Sequence, residues 1–190
     1  ILDITRRWTN DHKFRIGIQV LRGAIDSVAA GLGLSSVVET VIKVLMPTVE
    51  TEFAKQHGQV AGGTLSAIAY GKLGGRELMH GSDLDIVFVY GHAPEVEASD
   101  GPKPLAPSVY FMRLAQRVVS AISAPTGEGK LYEVDLRLRP SGNRGPIAVH
   151  VDGYLDYLQN SAWTWEHMAL TRARPICGNR TSVSYTHLRA

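Results

Sequence analysis

Cysteine is nearly missing from these 190 residues, Cys177 standing alone. One thiol cannot form an internal disulfide, which fits a reducing cytosol and leaves the fold to its core. An excess of charge of one sign is lacking too: 20 Lys and Arg face 18 Asp and Glu. That balance argues against a protein that wraps nucleic-acid backbone, so no nucleic-acid partner is expected. No uninterrupted apolar run reaches the roughly 18 residues of a membrane span, and no basic-then-apolar leader opens the chain. No membrane partner and a cytoplasmic location are therefore expected. The seven histidines are scattered without a pair at zinc spacing,. No Gly-Lys-Ser/Thr occurs, which excludes a Walker A loop, and the dinucleotide fingerprint is missing as well. Internal repeats and low-complexity tracts are absent.

What is present is ordinary globular material, 44% apolar and 20% charged. This is enough for one domain, or one domain with a helical arm. The first residue is Ile1 rather than Met, inside a charged helix-like stretch, so a piece of something longer is expected.

From residue 1 to about 60 the apolar spacing predicts a helical arm, with Phe14, Ile18, Leu21 and Ile25 on one face and Val37, Val41, Val44 and Leu45 on a later one. Gly31 and Gly33 punctuate it, Ser35-Ser36 offers a cap for a second helix, and Pro47 is expected to kink or split that helix. The arm reads as scaffold, because nothing in it gathers ionisable groups. From 61 to 179 the texture changes to short apolar runs between glycines. Thr64 to Tyr70 reads as a strand. Gly71 to Ser82 is a glycine-bearing turn with a helical piece around Arg76 to Met79, and Asp83 to Tyr90 a second strand. Ala93 to Pro107 carries four prolines and is a loop. Ser108 caps a helix to about Ser123 with Leu114, Val118 and Ile122 inward. Lys130 to Arg139 alternates apolar with charged residues as a half-buried strand does. Helices follow near Asp152 to Leu158 and Ser161 to Arg174. Trp163 and Trp165 are expected to pack in the core or at an interface.

The chemistry concentrates in Gly71 to Asp85. Side chains on a strand alternate, so Asp83 and Asp85 leave the same face while Leu84, Ile86 and Phe88 leave the other. Two adjacent carboxylates repel, and a divalent cation removes that penalty. Hard oxygen ligands suit magnesium, which shares its shell with substrate phosphates. Upstream, Gly71, Gly74 and Gly75 let a polyphosphate approach the backbone, with Lys72 or Arg76 as counter-charge. Gly75 is expected where the backbone approaches phosphate or at positive φ. Ser82 is a turn residue that also helps hold phosphate, and no His-Asp pattern makes it a nucleophile. Asp135, on the charged face with Glu133, Arg137 and Arg139, is the candidate third metal ligand that two-metal phosphoryl chemistry needs. At least one of Arg137 and Arg139 is expected to touch phosphate, the alternative being ion pairs with Glu133 or Glu128.

Gly71-Lys72, ten residues, then Asp83-Leu84-Asp85 resembles the signature of polymerase-beta-like nucleotidyltransferases, in which Asp135 would be the distant carboxylate. Lys72 stands where that superfamily commonly has Ser or Gly. The strings GKLGGREL, SDLDIVFVY, EVDLRLRPSGNRGP and WTWEHMALTRAR are similar to the bacterial glutamine synthetase adenylyltransferase family. The resemblance implies an α/β (α+β) domain with a small mixed sheet, helices packed on it, and the arm at its start. It implies ATP as substrate, two Mg2+ ions on Asp83, Asp85 and Asp135, and a glutamine synthetase tyrosine as acceptor. That family carries two related catalytic domains, one attaching AMP and one removing it by phosphorolysis, and WTWEH is more similar to the attaching copy. A PII-type signal protein would act only on regions outside this chain. Residues 180 to 190 do not resemble the family and are expected to be an artefact.

Overall fold

The computed structural model describes residues 1–178. The chain opens with two helices, α1 (Leu2–Leu21) and α2 (Ser27–His57). Asp26 caps α2, its carboxylate accepting from the Ala29 amide at 2.7 Å. The helix then runs unbroken through Gly31, Gly33 and Pro47. The expected break and the Ser35-Ser36 cap are therefore corrected: a glycine costs a helix only about 1 kcal/mol, and α2 buries Leu34, Val38, Val41, Ile42, Leu45 and Phe53 in the main core. By length and composition α2 passes the test for a membrane-spanning helix, and 56% of that stretch is buried within the protein. On α1 the expected apolar face is not buried, since Phe14 and Leu21 are exposed. What docks this helix is Arg6, fully buried, which donates to the carbonyls of Gly129 at 3.0 Å, Ala121 at 3.2 Å and Ala124 at 2.6 Å.

Next come β1 (Thr64–Ala69), a one-turn helix α3 (Gly71–Gly74) and β2 (Leu84–Gly91). The short helix sits at the glycines, not at Arg76 to Met79 as the sequence suggests. The strands β1 and β2 pair antiparallel from Thr64↔Gly91 to Ala69↔Ile86. After the proline-bearing loop comes α4 (Pro107–Ser123), with Leu114, Val118 and Ile122 buried as expected. Pro107 is its first residue, where the missing N–H is harmless,.

Three short strands complete a five-stranded sheet: β3 (Val134–Asp135), β4 (Ala148–His150) and β5 (Arg174–Cys177), with α5 (Val151–Asn160) and α6 (Thr164–Leu170) between the last two. Strand β5 pairs antiparallel with β1. The far edge of β2 is shared, β3 lying parallel to Leu84 and Asp85, and β4 parallel to Phe88, Val89 and Tyr90. The long strand expected over Lys130 to Arg139 is thus reduced to two paired residues. Past Leu136 the chain folds over itself, and Arg139 turns inward to donate to the carbonyls of Leu136 at 2.9 Å and Gly145 at 3.1 Å.

The sheet is covered on both faces. Alternate β2 residues Leu84, Ile86 and Phe88 meet α2 and α4 in one cluster, while Val87 and Val89 join Ile68, Tyr70, Tyr154 and Leu158 in another beneath α5. Trp163 and Trp165 are 72% and 53% exposed, which corrects core packing. The segment 180–190 lies outside the described residues.

Candidate functional site

The two-residue strand β3 does one thing of consequence. Its parallel pairing sets Asp135 directly beside Asp85 in register, and adjacent parallel strands lie about 4.8 Å apart. Asp83, two residues before Asp85 and exposed, stands just ahead of β2. Asp85 and Asp135 therefore meet at the end of the sheet where β2 begins, on the side that α5 covers further along, with Asp83 near enough for its charge to act on Asp85.

Their charges register one another. Partial burial, then the neighbouring charges of Asp83 and Asp135, raise the Asp85 carboxyl above the usual range, with Arg137 and Lys72 pulling it back. Asp135 moves the other way, held low chiefly by hydrogen bonds from Arg137. The Arg137 amide reaches Asp135 Oδ1 at 2.8 Å, and its guanidinium grips both carboxylate oxygens, Nε lying 2.8 Å from Oδ2. Lys72 and Arg137 are the cations facing this cluster.

The glycine turn meets the same cluster from β1. The Tyr70 amide donates to the Asp85 carbonyl at 2.9 Å, and the next residue, Gly71, has φ +52° with its α-carbon against the Asp85 carboxylate, where a Cβ would overlap the side chain. Gly74 is hemmed in from behind by the carbonyls of Arg172 and Ala69. Gly75 is neither strained nor crowded, at φ −76° with the Glu77 side chain 3.4 Å and the Gly71 carbonyl 3.5 Å from a Cβ, both ordinary contacts. The positions crowded by the protein itself are Gly71 and Gly74, and the positive φ expected as one of two alternatives for Gly75 is corrected.

Three other candidates are engaged elsewhere. Arg76, itself at φ +59°, is paired with Glu39 of α2 at 3.1 Å. Arg139 is buried among the carbonyls named above, because its loop needs their hydrogen bonds satisfied,. Ser82 closes its own turn, its hydroxyl accepting from the Met79 amide at 3.2 Å. Glu133 and Glu128, the alternative partners for the arginines, pair instead with Lys130 and Arg7.

A cavity of about 550 Å3 opens beside Asp83, lined among others by Lys13, Leu78, His80, Ser82 and Tyr132. Tyr132 is buried, and its hydroxyl has no hydrogen-bond partner among the described residues. Sequence reasoning missed this cavity, whose wall joins the arm to residues 130–133. It also missed Glu39, whose only signal was a lone carboxylate among Val37, Val38, Val41 and Ile42.

The donor set at the strand end fits a hard divalent cation at Asp83 and Asp85, two carboxylates whose repulsion such an ion would remove. Asp135 is less ready. Among the described residues no three acidic, histidine or cysteine side chains close on one metal position, and Arg137 occupies both oxygens of Asp135.

A mixed sheet flanked by helices, with paired aspartates at a strand start facing a glycine turn, is consistent with a nucleotidyltransferase domain of the family that the sequence matches. Residues 1–189 match the family model of glutamate-ammonia ligase adenylyltransferase, and the chain belongs to that family. The match runs into the segment from residue 180 that had been expected to differ. Among curated relatives, a bifunctional glutamine synthetase adenylyltransferase/adenylyl-removing enzyme from Brucella suis biovar 1 is 51% identical over 97% of this chain. Enzymes of the same description from Mesorhizobium japonicum and Xanthomonas campestris pv. campestris are 51% and 46% identical over 94% and 87% of it. The chain spans only about a fifth of these relatives, 19%, 18% and 18% of their lengths.

Proposed function

We propose that this chain is a catalytic core that moves AMP from ATP to a tyrosine hydroxyl of glutamine synthetase, releasing pyrophosphate in the cytoplasm. The observation that carries the reading is the register Asp85↔Asp135, which sets two of the three candidate carboxylates side by side against the glycine turn. The descriptions of the relatives support the substrate and the group transferred.

In this reaction the β- and γ-phosphates lie along Gly71 to Gly74, whose backbone approaches them closely, with Lys72 as counter-charge. The acceptor hydroxyl gives its proton to water as its oxygen forms a bond to the α-phosphorus, in line with the bond to the bridging oxygen, which breaks. Pyrophosphate leaves with that electron pair. Arg137, facing the cluster on an exposed side chain, neutralises charge growing on the phosphoryl oxygens. Asp83 and Asp85 would hold Mg2+, with Asp135 joining them once Arg137 turns to phosphate; the ion supplies charge neutralisation and a more acidic acceptor hydroxyl. Arg76 and Arg139 are left out of the nucleotide contact, since their side chains are committed elsewhere. The cavity beside Asp83 gives room for a group entering next to the aspartates.

Phosphorolytic removal of AMP would use the same carboxylates. The similarity of WTWEH to the attaching copy favours transfer. Intact-mass measurement separates the two: unmodified glutamine synthetase incubated with the protein and Mg-ATP is expected to gain one AMP per subunit. AMP loss from the modified enzyme with phosphate, and no gain with ATP, would reverse the assignment.

A further inference from the structure

The arm contributes a buried charge that reaches the glycine turn. Glu39 lies on the inner face of α2 with its side chain only 7% exposed, ringed by cations. Arg174 Nη2 of β5 donates to its Oε1 at 2.7 Å, Arg76 Nε reaches the same oxygen at 3.1 Å, and Lys43 stands 3.8 Å from Oε2. A buried carboxylate persists only where such partners replace its water.

Arg174 does more than neutralise it. The same guanidinium donates through Nε to the Gly74 carbonyl at 3.2 Å and through Nη2 to the Leu73 carbonyl at 3.0 Å. These are the last carbonyls of the one-turn helix α3, which is too short to stabilise itself. Arg76, the next residue but one after Gly74, is held in a left-handed conformation that disfavours an L-residue,, and Glu39 is the group that grips its side chain. Gly31, two helical turns before Glu39 on the same face of α2, lets that backbone come to within contact of the turn: a Cβ there would stand 3.3 Å from Glu77 Cα,.

We infer that Glu39 and Arg174 are positioning residues that clamp the glycine turn in the form that receives phosphate, so that the helical arm is part of the nucleotide site. The inference rests on the proposed reaction for its consequence and on the turn alone for its mechanism, and the two are measured separately. Glu39→Gln removes the charge, while Arg174→Lys keeps a cation but loses the planar fork that spans both carbonyls and the carboxylate.

Hydrogen exchange across residues 70–78 reads the clamp without any ligand. Both variants are expected to exchange there about tenfold faster, with the sheet amides unchanged. Unchanged exchange in both would overturn the clamp. Titration with Mg-ATP reads the consequence: KM for ATP is expected to rise about tenfold, the equivalent of one charge-assisted hydrogen bond, with kcat within about threefold. Faster exchange with unaltered ATP affinity, in a wild type that binds ATP, would overturn the positioning role. A wild type that binds no Mg-ATP would refute the proposed reaction, leaving the exchange result to judge the clamp.

Discussion

Gly71 and Gly75 differ by four positions and should respond oppositely to the same added methyl group. At Gly71 an alanine must adopt φ +52°, which costs an L-residue roughly 1–2 kcal/mol. Its Cβ would also overlap the Asp85 carboxylate. The backbone here is tied by the Tyr70 amide to the Asp85 carbonyl, so the carboxylate gives way first. Displacing a catalytic group by about 1 Å can cost a hundredfold in rate, and Gly71→Ala is expected to lose about that much AMP transfer while losing about 1–2 kcal/mol of stability. Gly75→Ala meets the Glu77 side chain at 3.4 Å and the Gly71 carbonyl at 3.5 Å, both ordinary contacts, and keeps φ −76°. Relieved of unfolded-chain entropy, it should gain about 0.4–1 kcal/mol and transfer AMP at nearly the wild-type rate. Urea denaturation and initial rates with glutamine synthetase measure both. Equal behaviour of the two variants, or full activity in Gly71→Ala, would refute the close approach of Gly71 to Asp85.

Asp135→Asn should suppress turnover more than Mg-ATP binding, because Asp83 and Asp85 remain; equal losses in kcat and affinity would place Asp135 in nucleotide binding instead. Arg6→Met should destabilise by about 2–4 kcal/mol, since it strips buried carbonyls at the end of α4 of their donor, and urea denaturation reads this directly. Glu39 provides a pH signature: burial pushes its carboxyl up, but hydrogen bonds from Arg174 and Arg76 outweigh it and leave it below the ordinary 4.5. A depressed carboxylate stabilises the fold above its unfolded pKa, and that contribution is lost as pH falls through the lower folded value. Melting temperature against pH should therefore fall less steeply below about 4.5 in Glu39→Gln than in wild type; parallel curves would contradict the ion cluster.

The parts legible in sequence were local. β1, the glycine turn and β2 are contiguous, so period-two spacing and the Asp-x-Asp pair were enough to find them. The apolar stripe of α4 was equally plain. Helix α2 misled because its glycines were read as punctuation, whereas the burial of Leu34, Val38 and Val41 outweighs their cost and Gly31 serves a close approach to the turn. The alternation of residues 130–139 also overstated order: only Val134 and Asp135 find a partner strand, and Arg139 answers to loop carbonyls instead of an exposed face. Strands β4 and β5 are too short for periodicity to register, and Pro175 in β5 reads as a breaker although an edge strand tolerates it. Glu39 and Arg174 are 135 positions apart, a separation at which a single sequence carries no pairing signal.

The measurement closest to the central claim is single-turnover transfer of α-phosphate label from ATP to glutamine synthetase by wild type and by Asp85→Asn. The amide keeps the shape of the side chain and removes its charge. Asp85 is raised by burial and by Asp83 and Asp135, so ionisation disfavours the fold once pH exceeds its folded pKa, and the neutral variant should be at least as stable as wild type at neutral pH. Partial exposure screens the gain to about 1 kcal/mol or less. Label transfer should nevertheless drop by about 10²–10³, the effect of deleting a group that stabilises developing charge. A variant of wild-type stability that labels glutamine synthetase at the wild-type rate would contradict the assignment of the aspartate cluster as the site of AMP transfer.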